Sequence, residues 1–273
     1  MPYVNIQRRD GEVINLHYRR AGSSDRPPVV LLHGWASGLE MWEPQIEALV
    51  ASGHQVIAYD QRGCGASSQQ WHGHDLASQA DDLDALLRAL ELDQVALVGY
   101  SLGAAIVASH AARHGIERVR RAVLIGTTTP QLSEDAPLGE LMARLDADLL
   151  RAIAWCQQRA FGDYRDRLGP QGSAYLDAIA RRCMPRALRE RARHWCEAEL
   201  HRALGHLTRP TLLVHGEADE LAPLVGCAEA SLAKLPDARL EVITRAPHAL
   251  TVTHPRRVNR VLLDFLAARP QRG

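Results

Sequence analysis

The sequence has no excess of charge of one sign. Among its 273 residues, 32 are Lys or Arg and 32 are Asp or Glu, so the formal net charge is zero. A protein that binds nucleic acid or an anionic membrane through its overall field needs a clear positive surplus. We therefore expect neither a nucleic-acid partner nor membrane binding.

Long apolar runs are also missing. The sequence contains no run of about 18 apolar residues, and no apolar stretch follows a basic start at the N-terminus. These absences argue against a transmembrane span and a signal peptide. We predict a cytoplasmic protein.

Cysteine and phenylalanine are scarce. The five cysteines are an odd number and widely spaced, with no C-x-x-C pair, a pattern typical of reduced thiols rather than of disulfides or a zinc site. We therefore predict no metal site. The only two phenylalanines are Phe161 and Phe265.

Apolar residues make up 46% of the chain, enough to fill the core of one large domain. Residues 1–20 read as an antiparallel strand pair. Continuous apolar runs of strand length then alternate with helical segments. This alternation predicts an α/β fold with a mainly parallel, doubly wound sheet. These strands are predicted at residues 29–32, 56–59, 95–98, 122–125, 211–214 and 240–243.

One long segment breaks this alternation. Residues 131–206 are helical in composition and contain no strand-like run. We therefore predict a core domain formed by residues 1–130 and 207–273, with residues 131–206 inserted as a helical cap.

The pentapeptide Gly99-Tyr100-Ser101-Leu102-Gly103 lies between a predicted strand and a predicted helix. A sharp strand-to-helix turn strains its central residue, and glycines two positions either side leave room for it. Such a turn exposes the Ser101 hydroxyl beside the free N–H groups of a helix start. Ser101 is therefore the candidate nucleophile.

A serine nucleophile needs a histidine base. His33, His215 and His248 follow predicted core strands, but the first two stand in His-Gly pairs, where hydrogen bonding within a turn is expected. His248 lies in a loop that can bring it over the sheet, so we predict that it is the base. His254 is the alternative.

The base in turn needs a carboxylate to orient it. The loop after residues 211–214 offers Glu217, Asp219 and Glu220. We choose Asp219, whose alternative role is a helix N-cap. The loop after residues 122–125 offers only threonines.

Acyl transfer also needs two backbone N–H groups to stabilise an oxyanion. Leu102 follows the nucleophile and Trp35 follows the first parallel strand, so their amides are the candidates. We expect the Trp35 indole, with Leu221 and Leu224, to line the substrate pocket.

Several further motifs accompany the turn at Ser101. They are His33-Gly34-Trp35 with Trp42-Glu43-Pro44, residues 59–63, 67–75 and 99–103, and Ala246-Pro247-His248 with Thr253-His254. With these motifs the chain resembles the α/β-hydrolase superfamily, and within it the bacterial cofactor-free (non-haem) haloperoxidases and arylesterases. The resemblance implies a Ser101–Asp219–His248 triad, hydrolysis of small carboxylic esters through an acyl-enzyme, weak perhydrolase activity, and no metal or organic cofactor. It also allows a homo-oligomer.

One departure from that family concerns peroxide chemistry. Ala36 follows Trp35 where many members have proline, and alanine does not fix φ as proline does. We therefore expect chiefly hydrolysis, and expect Ala36→Pro to raise perhydrolysis.

Two alternatives stay open. The chain also resembles carboxylesterases acting on carrier-protein-bound methyl esters, and an arginine-rich segment could receive an acidic carrier protein. A non-catalytic ligand-binding member of the superfamily is the other alternative. The arginines are at positions 181, 182, 186, 189, 191 and 193.

Overall fold

Eight strands form one sheet in the computed structural model, which describes residues 2–7, 11–23, 26–127, 137–197 and 200–268. The strand order is β1-β2-β4-β3-β5-β6-β7-β8; β2 is antiparallel to both its neighbours and the other pairs are parallel. This confirms the predicted fold class. The strands are β1 Tyr3–Gln7, β2 Val13–Ala21, β3 Val29–Leu32, β4 Val56–Tyr59, β5 Val95–Tyr100, β6 Val119–Ile125, β7 Thr211–Gly216 and β8 Ala238–Ile243.

Helices connect the parallel strands, and six of them (α4 to α9) lie between β6 and β7. The predicted start of the cap, with residues 128–136, lies outside the described residues, and the division into core and cap stays a prediction. The helices are α1 Glu43–Ala51, α2 Leu76–Ala89, α3 Leu102–His114, α4 Pro137–Ala147, α5 Leu149–Phe161, α6 Tyr164–Arg167, α7 Gly169–Arg181, α8 Pro185–Glu197, α9 Leu200–Leu204, α10 Ala230–Leu232, α11 Leu250–Thr253 and α12 Pro255–Ala267.

Within the described ranges, none of these helices has the length and apolar character needed to span a bilayer.

The sheet is covered on both faces, as continuous apolar strands require. Along β3, Val30 and Leu32 pack into a cluster that includes residues of α2 and α3. Val29 and Leu31 alternate with them and pack into the opposite cluster, with residues of α1 and α12. Two apolar layers therefore hold the central strands rigidly between them.

The chain reverses its direction of winding at β3. This strand lies between β4 and β5, and the chain crosses over it through α2 to reach β5. Loops leaving the carboxyl ends of β3 and β5 therefore diverge, and open α/β sheets form their crevice at such a point. The loop of Trp35 and the turn of Ser101 lie at this crevice.

Two helical segments are irregular at their start. A 3-10 turn, Leu39–Trp42, comes directly before α1. A wide helical turn, Val225–Glu229, comes directly before the three residues of α10.

Gly103 is where α3 approaches the sheet most closely. A Cβ placed there would lie 2.4 Å from the Leu32 carbonyl oxygen and 2.8 Å from that of His33. Both atoms belong to the backbone of a buried strand end, so neither can move cheaply.

We expect Gly103→Ala to lower the free energy of unfolding by at least about 2 kcal/mol, because it overpacks the contact between α3 and β3. Gly226→Ala is the matched control, since a Cβ there meets nothing within 4 Å. Urea unfolding of both variants measures the difference. Equal stabilities for the two variants would contradict the close contact.

Candidate active site

The backbone of Ser101 adopts the strained conformation that the sequence predicts. Ser101 has φ 54° and ψ −118° between the end of β5 and the start of α3. A Cβ on Gly99 would lie 2.4 Å from the Gly103 carbonyl oxygen, so the turn has room only for glycine there. Such strain at a non-glycine residue persists only where the surrounding structure holds it, and it is concentrated at functional sites.

The structure brings the three predicted triad residues into one hydrogen-bonded line. His248 Nε2 lies 3.0 Å from Ser101 Oγ, and His248 Nδ1 lies 2.7 Å from Asp219 Oδ2. A carboxylate can only accept, so Nδ1 carries the proton, and Nε2 is left to accept from the serine hydroxyl. All three side chains are buried.

The carboxylate of Asp219 is held on both oxygens. Oδ1 accepts from the backbone N–H groups of Leu221 and Ala222, at 3.0 and 2.7 Å. Oδ2 faces a second imidazole besides His248, because His215 Nε2 lies 3.3 Å from it and donates to the Ala222 carbonyl at 2.7 Å. The sequence predicted only turn hydrogen bonding for His215, and its contact with Asp219 was missed.

Titratable groups around Asp219 are biased towards their neutral forms. Burial lowers the pKa of His215. Burial and the charge of Asp219 raise the pKa of Tyr100 and raise that of Cys156 to about 12. These neighbours of Asp219 are therefore neutral, and Asp219 Oδ2 contacts His248 Nδ1 at 2.7 Å.

The alternative site residues lie elsewhere. His254 contacts Tyr164 and Thr253, at 3.1 and 2.9 Å, instead of Ser101. Glu217 is exposed and accepts from the Arg245 backbone N–H, and Glu220 is exposed. The carboxylate that contacts His248 is that of Asp219, whose Oδ2 lies beside His248 Nδ1.

The loop that carries Trp35 passes directly over the turn at Ser101. A Cβ on Gly34 would lie 2.9 Å from the ring of Tyr100 and 3.3 Å from Ser101 Cβ. Leu102 is the first residue of α3, so its N–H has no partner within the helix. The loop and the helix start therefore approach Ser101 from two sides.

A buried polar network holds this loop. His33 Nε2 accepts from the Gln61 backbone N–H at 3.0 Å, and the Gln61 side-chain amide donates to the His33 carbonyl at 2.6 Å. Burial, reinforced by the charge of Arg191, lowers the pKa of His33 to about 4. Arg191, on α8, donates to Gln61 Oε1, and the Trp35 indole donates to the Leu188 carbonyl at 2.9 Å.

The cavity above Ser101 has a volume of about 90 Å³ and mostly apolar walls. Trp35 and Leu221 line it, as predicted. Leu224 is not among its lining residues, because it lies further along the loop at the start of the next helical turn. One face of α5 supplies much of the roof, with lining residues spaced three and four apart: Ile153, Cys156, Gln157, Ala160 and Phe161.

The expectation that Ala36→Pro raises perhydrolysis rests on a wrong premise, namely that the backbone at position 36 accepts proline. Ala36 has φ 50°, in the left-handed region, whereas proline holds φ near about −65°. Proline cannot enter this loop without rearranging it. The absence of proline at position 36 is therefore consistent with the positive φ of this loop, which the sequence pattern does not reveal.

The arginine-rich segment is not a free basic face. Arg182 pairs with Glu40, and Arg186 pairs with Glu190 at 2.7 Å while stacking over Trp71. Arg191 is buried. Three of the six arginines expected to contact an acidic carrier protein are thus already paired or buried.

The chain is similar to known proteins along most of its length. Residues 27–255 match the family model described as the alpha/beta hydrolase fold. A non-heme haloperoxidase of Rhodococcus erythropolis is 32% identical, covering 97% of this chain and 99% of that protein. A bifunctional esterase/perhydrolase of Acinetobacter calcoaceticus is 27% identical, with coverage of 97% and 99%.

A solved structure is similar along the whole chain. The bromoperoxidase from Bacillus anthracis superposes with a TM-score of 0.90 at 30% identity, covering 98% of this chain and 100% of that one. These findings confirm the predicted resemblance to the non-haem haloperoxidases. The chain belongs to the alpha/beta hydrolase family.

Proposed function

We propose that this alpha/beta hydrolase cleaves carboxylic esters through an acyl-enzyme formed on Ser101. The observation that carries the proposal is the hydrogen-bonded line from Ser101 through His248 to Asp219 beneath an apolar cavity. A serine hydroxyl becomes a nucleophile when a neighbouring base takes its proton, and this line supplies the base together with the acid that orients it.

The steps follow from the positions of the protons. Ser101 Oγ attacks the ester carbonyl while its proton passes to His248 Nε2, and Asp219 stabilises the imidazolium. The tetrahedral intermediate collapses, and His248 returns the proton to the departing alcohol. Water, activated by the same imidazole, then attacks the acyl-enzyme and releases the acid and Ser101.

The negative oxygen of that intermediate needs donors that are already in place. We assign this role to the backbone N–H groups of Trp35 and Leu102. Their loops approach Ser101 from two sides, and the network of His33, Gln61 and Arg191 fixes the first of them. Preorganised donors of this kind commonly contribute the largest single part of the rate enhancement.

Cavity size and lining favour a small, uncharged substrate. About 90 Å³ holds on the order of six waters, at roughly 15 Å³ each, so a short acyl group fits. Among the described residues no Lys or Arg lines the cavity, so an acyl group bearing a carboxylate would be buried without a cation from this part of the chain. The relative named as an esterase/perhydrolase supports ester cleavage, with slow acyl transfer to hydrogen peroxide as a side reaction.

The absence of a cofactor, the cytoplasmic location and a homo-oligomeric state stay predictions.

Ser101→Ala should lower kcat for p-nitrophenyl acetate by roughly 10⁶-fold, the scale of losing a serine nucleophile in a triad enzyme. The wild-type protein should show a burst of p-nitrophenol equal to the enzyme concentration, and the variant none. Retention of a tenth of the activity would remove Ser101 from the mechanism and point to another nucleophile.

His248→Gln should lower kcat for p-nitrophenyl acetate by roughly 10⁶-fold, because glutamine cannot accept the serine proton. His254→Gln is the matched control, since His254 contacts Tyr164 and Thr253 and not Ser101, and it should stay within about tenfold of the wild type. Equal losses in the two variants would contradict the assignment of the base.

Ala36→Pro should lose both hydrolysis and perhydrolysis and lower the free energy of unfolding by more than about 1 kcal/mol, because its φ does not suit proline. Ala36→Gly should raise the free energy of unfolding by about 1 kcal/mol, since glycine adopts this φ without strain. Peracid formation from acetate and peroxide, measured beside p-nitrophenyl acetate hydrolysis and urea unfolding, tests both variants. A stable Ala36→Pro protein would contradict this account.

A further inference from the structure

Two thiols meet where the helices inserted after β6 contact the core. Cys64 lies in the loop after β4, and Cys183 lies in the turn between α7 and α8. The backbone brings them together, because the Met184 N–H donates to the Gly63 carbonyl at 2.8 Å, and both cysteine side chains are buried. Cys183 Sγ also lies 3.3 Å from the Ser37 carbonyl oxygen, two residues beyond Trp35. The pair thus joins two distant parts of the chain behind the loop of Trp35.

A buried guanidinium contacts one sulfur of the pair. Arg191 is only 1% exposed, and its Nη1 lies 2.8 Å from Cys64 Sγ. Its other recorded partner is the neutral amide oxygen of Gln61, and over the described part of the chain no carboxylate is recorded within ion-pair distance of it. Arginine stays protonated in proteins, and a buried charge needs compensation. A Cys64 thiolate, with the more distant charge of Asp60, can supply it.

The two sulfurs have opposite tendencies. Burial raises the pKa of Cys64, but the neighbouring Cys183 thiol and the charge of Arg191, whose Nη1 lies 2.8 Å from Cys64 Sγ, outweigh burial and leave it below the usual value. The proximity of Cys64, followed by burial, raises the pKa of Cys183 well above the usual value, and its S–H is directed at the Ser37 carbonyl. Cys64 is therefore the attacking sulfur and Cys183 the proton-bearing one.

We propose that Cys64 and Cys183 are a peroxide oxidation site that closes to a disulfide between the core and the helical insertion. The Cys64 thiolate attacks hydrogen peroxide, breaking the O–O bond and forming a sulfenic acid and hydroxide. The Cys183 thiol then attacks the sulfenic sulfur, the S–S bond forms, and its proton leaves with the hydroxyl group as water. The hydroxide takes up the proton that Cys64 released on ionising, so the pair of thiols loses two electrons and two protons and peroxide is reduced to two waters.

This site does not depend on ester cleavage at Ser101. Both sulfurs are buried, so the reaction requires local openings that admit hydrogen peroxide, which is close to water in size. Closing the bond removes the thiol proton directed at the Ser37 carbonyl and tethers α8, which carries Arg191 and the Leu188 carbonyl, to the core. Oxidation therefore acts on the support of the Trp35 loop.

The test is to treat the full-length protein with hydrogen peroxide and map its peptides without reduction. We expect a linked pair of peptides containing Cys64 and Cys183 and a higher Tm, both reversed by dithiothreitol. Cys156 is an internal control, because burial and the charge of Asp219 raise its pKa to about 12 and keep it a thiol. Intact thiols at 64 and 183, with Cys156 oxidised instead, would overturn the proposal.

Variants separate the roles of the three side chains. Cys183→Ser should leave a sulfenic acid at Cys64 that dimedone traps, and the absence of any adduct would contradict attack by Cys64. Arg191→Met should slow disulfide formation at least tenfold, whereas Arg191→Lys, which keeps the charge, should stay close to the wild type. Equal rates in folded Met and Lys variants would show that the guanidinium does not activate Cys64. If Arg191→Met does not fold, the Cys183→Ser trapping experiment still decides the proposal.

Discussion

The candidate site depends on how closely α3 approaches the end of β3. Because positions 99 and 103 carry no side chain, the backbone after β5 turns sharply enough to put Ser101 at φ 54°. That turn directs the first N–H groups of α3 towards the space where His248 and the loop of Trp35 also converge. Two apolar layers on the sheet keep these strand ends from shifting, so the strain is stored rather than relaxed.

Electrostatics around the triad follow from burial. Asp219 carries its charge in a place where Tyr100, Cys156 and His215 are all held neutral. Two backbone amides on one oxygen and two imidazoles on the other compensate for its lost hydration. The charge of Asp219 is thus compensated by these contacts, and it lies beside the imidazole that contacts Ser101.

The helices inserted after β6 roof the cavity and also support the chemistry below it. Through Arg191 and the Leu188 carbonyl, α8 reaches the loop that carries Trp35. None of the described lining residues belongs to α8, so this helix acts on the cavity through the loop of Trp35, which forms part of the cavity wall. The thiol pair lies at the same contact between α8 and that loop.

The sequence by itself determined the order of strands and helices, the glycine-framed turn at Ser101 and the short set of strand-end residues that included Asp219 and His248. Apolar periodicity and turn chemistry are local, so these features can be read from neighbouring residues. Only the tertiary structure decided that Leu221 rather than Leu224 lines the cavity, that Ala36 has positive φ, and that His215 and Arg191 support the site. Those outcomes depend on contacts between segments far apart in the chain, and packing of the whole fold, not local pattern, brings those segments together.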